Sequence, residues 1–258
     1  MDRVKSIQDI IKKVDSVVNK LKESKSVYKD NTGFLAEADT LSHRTFVNEI
    51  SSLFPEDSIF SEEGNSDTFD EKYLSEYSWI IDPICGTTNY LYKIPLYTHS
   101  LSLLHDGEVI SAAVYDPSRK EMFFSDGNSF YINNKKYCLN NSNELSQSLI
   151  SFNTNQSNFD NDDESLSYLL NKIGPPVCRR VHILESANLE LAYVAAGRLD
   201  AYLNPTDKPW DICAAKIFLK TAEGSFKIFK NEDENILKQT GILAAGSKKL
   251  LDQILEKL

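Results

Sequence analysis

The chain has 258 residues, with 28 Lys and Arg against 38 Asp and Glu, a formal net charge of −10. That length suits one large domain or two halves sharing a core, and 41% hydrophobic with 26% charged residues is an ordinary globular balance. The acidic balance argues against a nucleic-acid binder, which needs a basic surface, and no run reaches the roughly 18 apolar residues of a membrane span.

Cys85, Cys138, Cys178 and Cys213 show no C-x-x-C pair and no zinc spacing, so reduced thiols and a cytoplasmic location are expected. The start, Met1-Asp2-Arg3-Val4-Lys5, lacks the apolar segment of a signal peptide.

Residues 2–22 place Val4, Ile7, Ile10, Ile11, Val14, Val17, Val18 and Leu21 on one helical stripe. Residues 27–35 read as a loop or short hairpin, and a second helix runs from Ala36 to Phe54, stopped by Pro55, with Asp39 in its first turn. Ile59-Phe60-Ser61 then pushes as a strand into Glu62-Glu63, followed by a polar loop over residues 64–77. Successive strand residues face opposite ways, so one of the two carboxylates turns inward.

Trp79-Ile80-Ile81 is a buried strand that ends at Asp82, where Pro83, Gly86, Thr87 and Thr88 open a turn. A carboxylate on a rigid strand end beside turn amides and hydroxyls suits a phosphate held next to a cation. Beyond it, strand-length runs closed by Asp-Gly and Asp-Pro turns predict an antiparallel meander to Lys136. His99 and His105 lie in it without ligand-spaced neighbours and read as structural.

The second half alternates strands (149–152, 199–203, 225–229, 242–245) with helices (164–173, 186–196, 210–222, 248–258), as in a sheet covered by helices. The expected organisation is an N-terminal α+β half, 1–147, and a C-terminal α/β half, 148–258, forming one compact unit around a shared site.

Together, Glu62-Glu63, the motif Trp79-Ile-Ile-Asp82-Pro-Ile-Cys-Gly86-Thr87-Thr88-Asn89-Tyr90, the segment Ala192 to Ala201 and Pro209-Trp210-Asp211-Ile212-Cys213-Ala214-Ala215 resemble the inositol monophosphatase family of magnesium-dependent, lithium-sensitive phosphatases. The resemblance implies an α/β (α+β) fold, a layered αβαβα sandwich of the inositol monophosphatase and fructose bisphosphatase type, and a homodimer. It implies that Glu62, the Asp82 carboxylate and the Ile84 carbonyl hold a first Mg²⁺ (or Mn²⁺), with Asp82 and Asp211 holding a second. Thr87, oriented by Asp39, then activates water, while Gly86, Thr87 and Thr88 hold phosphate. Glu185, Ser186, Ala187 and Asn204 fall on the family's substrate-contacting positions.

The chain departs from that pattern at Cys85, where the family carries an aspartate that binds the second metal. A thiol with a free pKa of about 8.5 is a poor Mg²⁺ ligand, so the second ion is expected to bind weakly. Glu185 replaces a usual glycine, and Asn204 replaces the glutamate of inositol-specific enzymes. The expected activity is hydrolysis of a small sugar, polyol or inositol phosphate by two-metal, in-line water attack, attenuated by Cys85. The alternative is a degenerate member that binds a ligand or partner without turnover.

Overall fold

The computed structural model describes residues 2–20, 26–29, 33–64, 72, 74–140, 144–153, 166–229 and 235–258. The expected polar loops at 64–77 and 153–163 lie largely outside these residues. The first half comprises α1 (Arg3–Val18), β1 (Ser26–Lys29), β2 (Gly33–Ala36), α2 (Glu37–Leu53), β3 (Ser58–Ser61), β4 (Tyr77–Cys85), α3 (Thr87–Leu91), β5 (Thr98–His105), β6 (Glu108–Asp116), β7 (Glu121–Ser125), β8 (Phe130–Ile132) and β9 (Lys135–Tyr137). The second comprises β10 (Leu149–Phe152), α4 (Leu166–Ile173), β11 (Arg180–His182), α5 (Ala187–Ala195), β12 (Ala201–Asp207), α6 (Pro209–Ala222), β13 (Ser225–Phe229), β14 (Thr240–Ala245) and α7 (Lys248–Leu255).

Two large sheets organise these elements. One runs β3-β4-β5-β6-β7-β8-β9 and the other β11-β10-β12-β14-β13. In the first sheet β3 is parallel to β4, and every later pair is antiparallel, so the expected meander is present. β1 and β2 form the short hairpin.

Alternation along the strands sorts the apolar residues into three cores. Trp79, Ile81, Leu101, Leu103 and Ala113 pack with Ile7, Ile11 and Val14 of α1 and with Phe46 and Ile50 of α2. Their neighbours Ile80, Leu104, Ala112, Val114 and Phe123 face the other way, onto α5 and α6, which also meet Tyr202, Ile242 and Ala244 of the second sheet. Ala201, Leu203 and Leu243 turn outward, packing with Leu169 and Ile173 of α4 and Leu251 and Ile254 of α7. The order is helices, sheet, helices, sheet, helices, the layered sandwich implied by the sequence.

Most elements match their sequence-based bounds within about two residues, a normal spread for helix ends. The structure adds three features. β4 continues through Asp82 and Pro83 to Cys85, β12 extends to Asp207, and a short helix, α3, follows the turn. Pro83 gives no backbone N–H, and the β4–β5 register shifts between Asp82 and Cys85, so the strand bends there instead of stopping.

Candidate active site

Parallel pairing of β3 with β4 fixes the first carboxylates. Ser61 stands opposite Ile81, and the Glu62 amide donates to the Ile81 carbonyl at 3.2 Å. Glu62 and Asp82, the next residues of each strand, are therefore side by side. Asp82 is 1% exposed, and one of its oxygens, Oδ1, is buried without a hydrogen-bond partner.

The bend after Asp82 is pinned from behind. Ser42 of α2 donates to the Pro83 carbonyl at 2.9 Å, and His99 bonds to the same oxygen through Nδ1. A carbonyl only accepts, so His99 is the donor there. Burial lowers the His99 pKa to about 4, leaving the ring neutral. His99 thus has a structural role that bears directly on the site.

α2 also brings in Asp39, which is 2% exposed. The Thr87 hydroxyl lies 2.8 Å from Asp39 Oδ2 and 3.0 Å from the Ile84 carbonyl. Both are acceptors, so Thr87 directs its single proton to them and leaves its lone pairs outward. Gly86 makes this placement possible. It sits at φ 91°, and a Cβ there would meet the Leu96 carbonyl at 2.9 Å and the Glu185 carbonyl at 3.1 Å. Thr87 opens α3, whose first-turn amides have no intrahelical acceptor.

The far wall comes from the second half. Ser186 Oγ donates to the Cys85 carbonyl at 3.0 Å, and the Asn188 amide donates to Cys85 Sγ at 3.3 Å. Asn188 Nδ2 donates to Asp82 Oδ2 at 2.9 Å and to the Trp210 carbonyl at 3.1 Å. Asp211 lies in the first turn of α6, where Oδ2 accepts from the Lys208 amide at 2.9 Å. Ligand atoms of Asp82, Cys85 and Asp211 all lie within 4.8 Å of one another.

The electrostatics are those of crowded, desolvated acids. Burial, then Glu62 and Asp211, push the Asp82 carboxyl well above the ordinary carboxylate range. Burial raises Asp211 to about 6. Burial, reinforced by Asp82 and Asp211, pushes the Cys85 thiol up, so it stays neutral. A cation among these acids relieves their repulsion, and the partnerless Asp82 oxygen is a ready ligand. Hard oxygens from Glu62, Asp82 and the Ile84 carbonyl fit Mg²⁺. The position between Asp82, Cys85 and Asp211 fits it poorly, because one of its three donors is a protonated thiol.

Of the remaining sequence candidates, Thr88 and Glu185 are exposed and Ala187 is buried at the start of α5. Glu185 has φ 57°, a conformation that favours the glycine expected there. Asn204 has no exposed surface and gives its amide to Asp207 and to the Thr206 carbonyl. Its amide is therefore engaged within its own strand, β12.

Sequence reasoning missed Asn188 and Glu190. Glu190 is 0% exposed; it accepts from the Leu184 amide at 3.0 Å, from the Ser186 amide at 3.2 Å and from the Ser151 hydroxyl. Burial lifts it to about 7. The available signal was a pair of polar residues inside the Ala187–Ala195 run, where a purely packing helix carries apolar ones.

A sequence profile of the inositol monophosphatase family matches residues 3–258. A fructose-1,6-bisphosphatase/inositol-1-monophosphatase of Thermotoga maritima is 30% identical over 225 residues, covering 87% of this chain and 81% of its own length. An inositol monophosphatase of Dictyostelium discoideum is 28% identical over 228 residues, 86% of this chain and 82% of its own. A Xylella fastidiosa protein called Nus factor SuhB is 29% identical over 220 residues, 84% of this chain and 76% of its own. Among solved structures, a Thermotoga maritima IMPase superposes with a TM-score of 0.81 at 27% identity, covering 99% and 96% of the two chains. An IMPase/NADP phosphatase complexed with Mg²⁺ and phosphate has a TM-score of 0.86 at 22% identity over 98% and 94%, a likeness of fold.

Proposed function

The chain belongs to the inositol monophosphatase family, and from that premise we propose that it hydrolyses the monoester of a small sugar, polyol or inositol phosphate. The observation that carries the reading is the convergence of the Asp39–Thr87 hydrogen bond with a buried Asp82 that keeps one oxygen partnerless. Glu62, Asp82 and the Ile84 carbonyl would hold Mg²⁺ or Mn²⁺, with Asp211 across from Asp82. The bound cation supplies charge neutralisation on the phosphoryl oxygens and a lowered pKa for water.

The chain's own groups do the positioning. Asp39 accepts the Thr87 proton, so the Thr87 oxygen accepts a hydrogen bond from the attacking water and aims it. The amides of Gly86, Thr87 and Thr88 hold the phosphate oxygens. Ser186 keeps the turn in place through the Cys85 carbonyl. Glu185 at the rim disfavours a second phosphate on the substrate and accepts from hydroxyls, which supports a monoester of a polyol.

The test is phosphate release from a panel of sugar, polyol and inositol phosphates with Mg²⁺ or Mn²⁺. Release that requires the metal is expected; none from a folded sample at any metal concentration overturns the reading. Cys85 favours a second reading, a family member that binds a ligand or partner without turnover. That reading holds if the natural chain is silent on the panel and Cys85→Asp restores release.

A homodimer and a cytoplasmic location complete the proposal. All four cysteines are free thiols, which supports a reducing compartment. Among the described residues no helix is long and apolar enough to cross a membrane. Light scattering of the purified chain checks the dimer.

A further inference from the structure

A side chain of the protein itself meets the group formed by Asp82, Cys85 and Asp211. Asn188 is 1% exposed. Its Nδ2 reaches both Asp82 Oδ2 and the Trp210 carbonyl, and its backbone amide reaches Cys85 Sγ. Both acceptors of the side chain are oxygens, so the amide nitrogen must face them. The same orientation leaves Asn188 Oδ1 buried without a partner. An orphaned carbonyl oxygen costs free energy, so the side chain is held there by what its nitrogen does.

What the nitrogen does is join β4 to the start of α6. It presents the positive end of a dipole to Asp82 Oδ2 while bonding the Trp210 carbonyl, the residue before Asp211. Cys85 complements it, since a thiol stands beside the two acids where a third carboxylate would add its charge. Less charge thus gathers in that group, and a donor is already built into it.

We propose that Asn188 is a permanent stand-in for a second cation, so that the site takes one divalent ion instead of two. The amide holds Asp82 and the α6 start together, the bridging task a metal would perform, and it is a positioning residue. The inference rests on the reading of the cluster as a metal-dependent phosphatase site.

Manganese binding to the chelator-stripped full chain tests it, followed by equilibrium dialysis and by electron paramagnetic resonance. The natural chain is expected to take one Mn²⁺ with an isolated-ion spectrum. A folded Asn188→Ala, Cys85→Asp double variant is expected to take two, with the spin coupling of ions about 4 Å apart. Asn188→Ala alone should tighten the second ion by about tenfold. Two coupled ions of similar affinity in the natural chain overturn this inference and leave the phosphatase reading intact, as does a folded double variant that still takes one. No bound ion in the natural chain removes the phosphatase reading as well. If the double variant does not fold, the stoichiometry and spectrum of the natural chain decide alone.

Discussion

Asp82 has two sides, and they are built differently. Toward Glu62, Ile84 and Thr87 every group is a hard oxygen, held by the β3–β4 pairing, the Pro83 bend and the Asp39–Thr87 bond. On its other side, Asp82 Oδ2 accepts from the Asn188 amide, and Cys85 lies in the same group with Asp211. In the proposed reading the first side gathers positive charge and aims a water. The second is satisfied to a large extent by the protein's own hydrogen bonds. Within this single carboxylate one oxygen is left open and the other is already used.

The most severe way to break this contrast is Asp82→Asn, which disables both sides. Phosphate release is expected to fall on the order of a thousandfold or more. Because Asp82 is a desolvated acid among acids, the chelator-treated variant should melt no lower than the natural chain, and its Mg²⁺-dependent rise in Tm should vanish. Melting curves with and without Mg²⁺ separate the two effects.

Thr87→Ala strikes only the oxygen side. It is expected to lower kcat by about 10²–10⁴-fold, the range of a lost proton-transfer or orienting group, with KM little changed. Thr87→Ser, which keeps the hydroxyl on Asp39, should recover most of it. Equal losses for Ala and Ser would remove the water-aiming role.

A third probe uses pH on the metal-free chain. Glu190 has its pKa raised from 4.5 to about 7 by burial. The folded state therefore holds a proton that the unfolded state has released, and stability is fully present below pH 4.5 and declines as pH rises through about 7. The loss is on the order of 3 kcal/mol for a shift of this size. Asp211, raised to about 6, adds to the decline in the same direction. Urea titrations at several pH values should show it, and Glu190→Gln should flatten the upper part of the curve.

The smallest effect sharpens the contrast most. If the thiol is no ligand, Cys85→Ser should change phosphate release and Mg²⁺ dependence by less than about threefold. A large loss would make Cys85 a working ligand and erase the distinction between the two sides.

The layered fold was legible because its signals are local. The α1 stripe, the strand alternation and the Asp-Gly turns each state their structure within a few residues. The Glu62–Asp82 neighbourhood also follows from consecutive strands. Asp211 did not, since nothing local says that α6 begins beside β4; the family resemblance supplied that contact. Asn188 and Glu190 were hidden because their partners, Asp82 and Trp210 for one, Ser151 and Leu184 for the other, are remote in sequence or on another element. The substrate-facing expectation for Asn204 came from position alone, which does not show that Asp207 and the Thr206 carbonyl take its amide.

The bond from Ser186 to the Cys85 carbonyl spans 101 residues, and the bond from Asn188 to Cys85 spans 103. During synthesis the signature Trp79 to Tyr90 leaves the ribosome long before either partner exists. A truncated chain that ends after the first sheet carries every residue of that signature, yet nothing closes over Cys85 or ties down the second oxygen of Asp82. The second half of the protein thus completes the arrangement around Asp82, which the first half alone does not close.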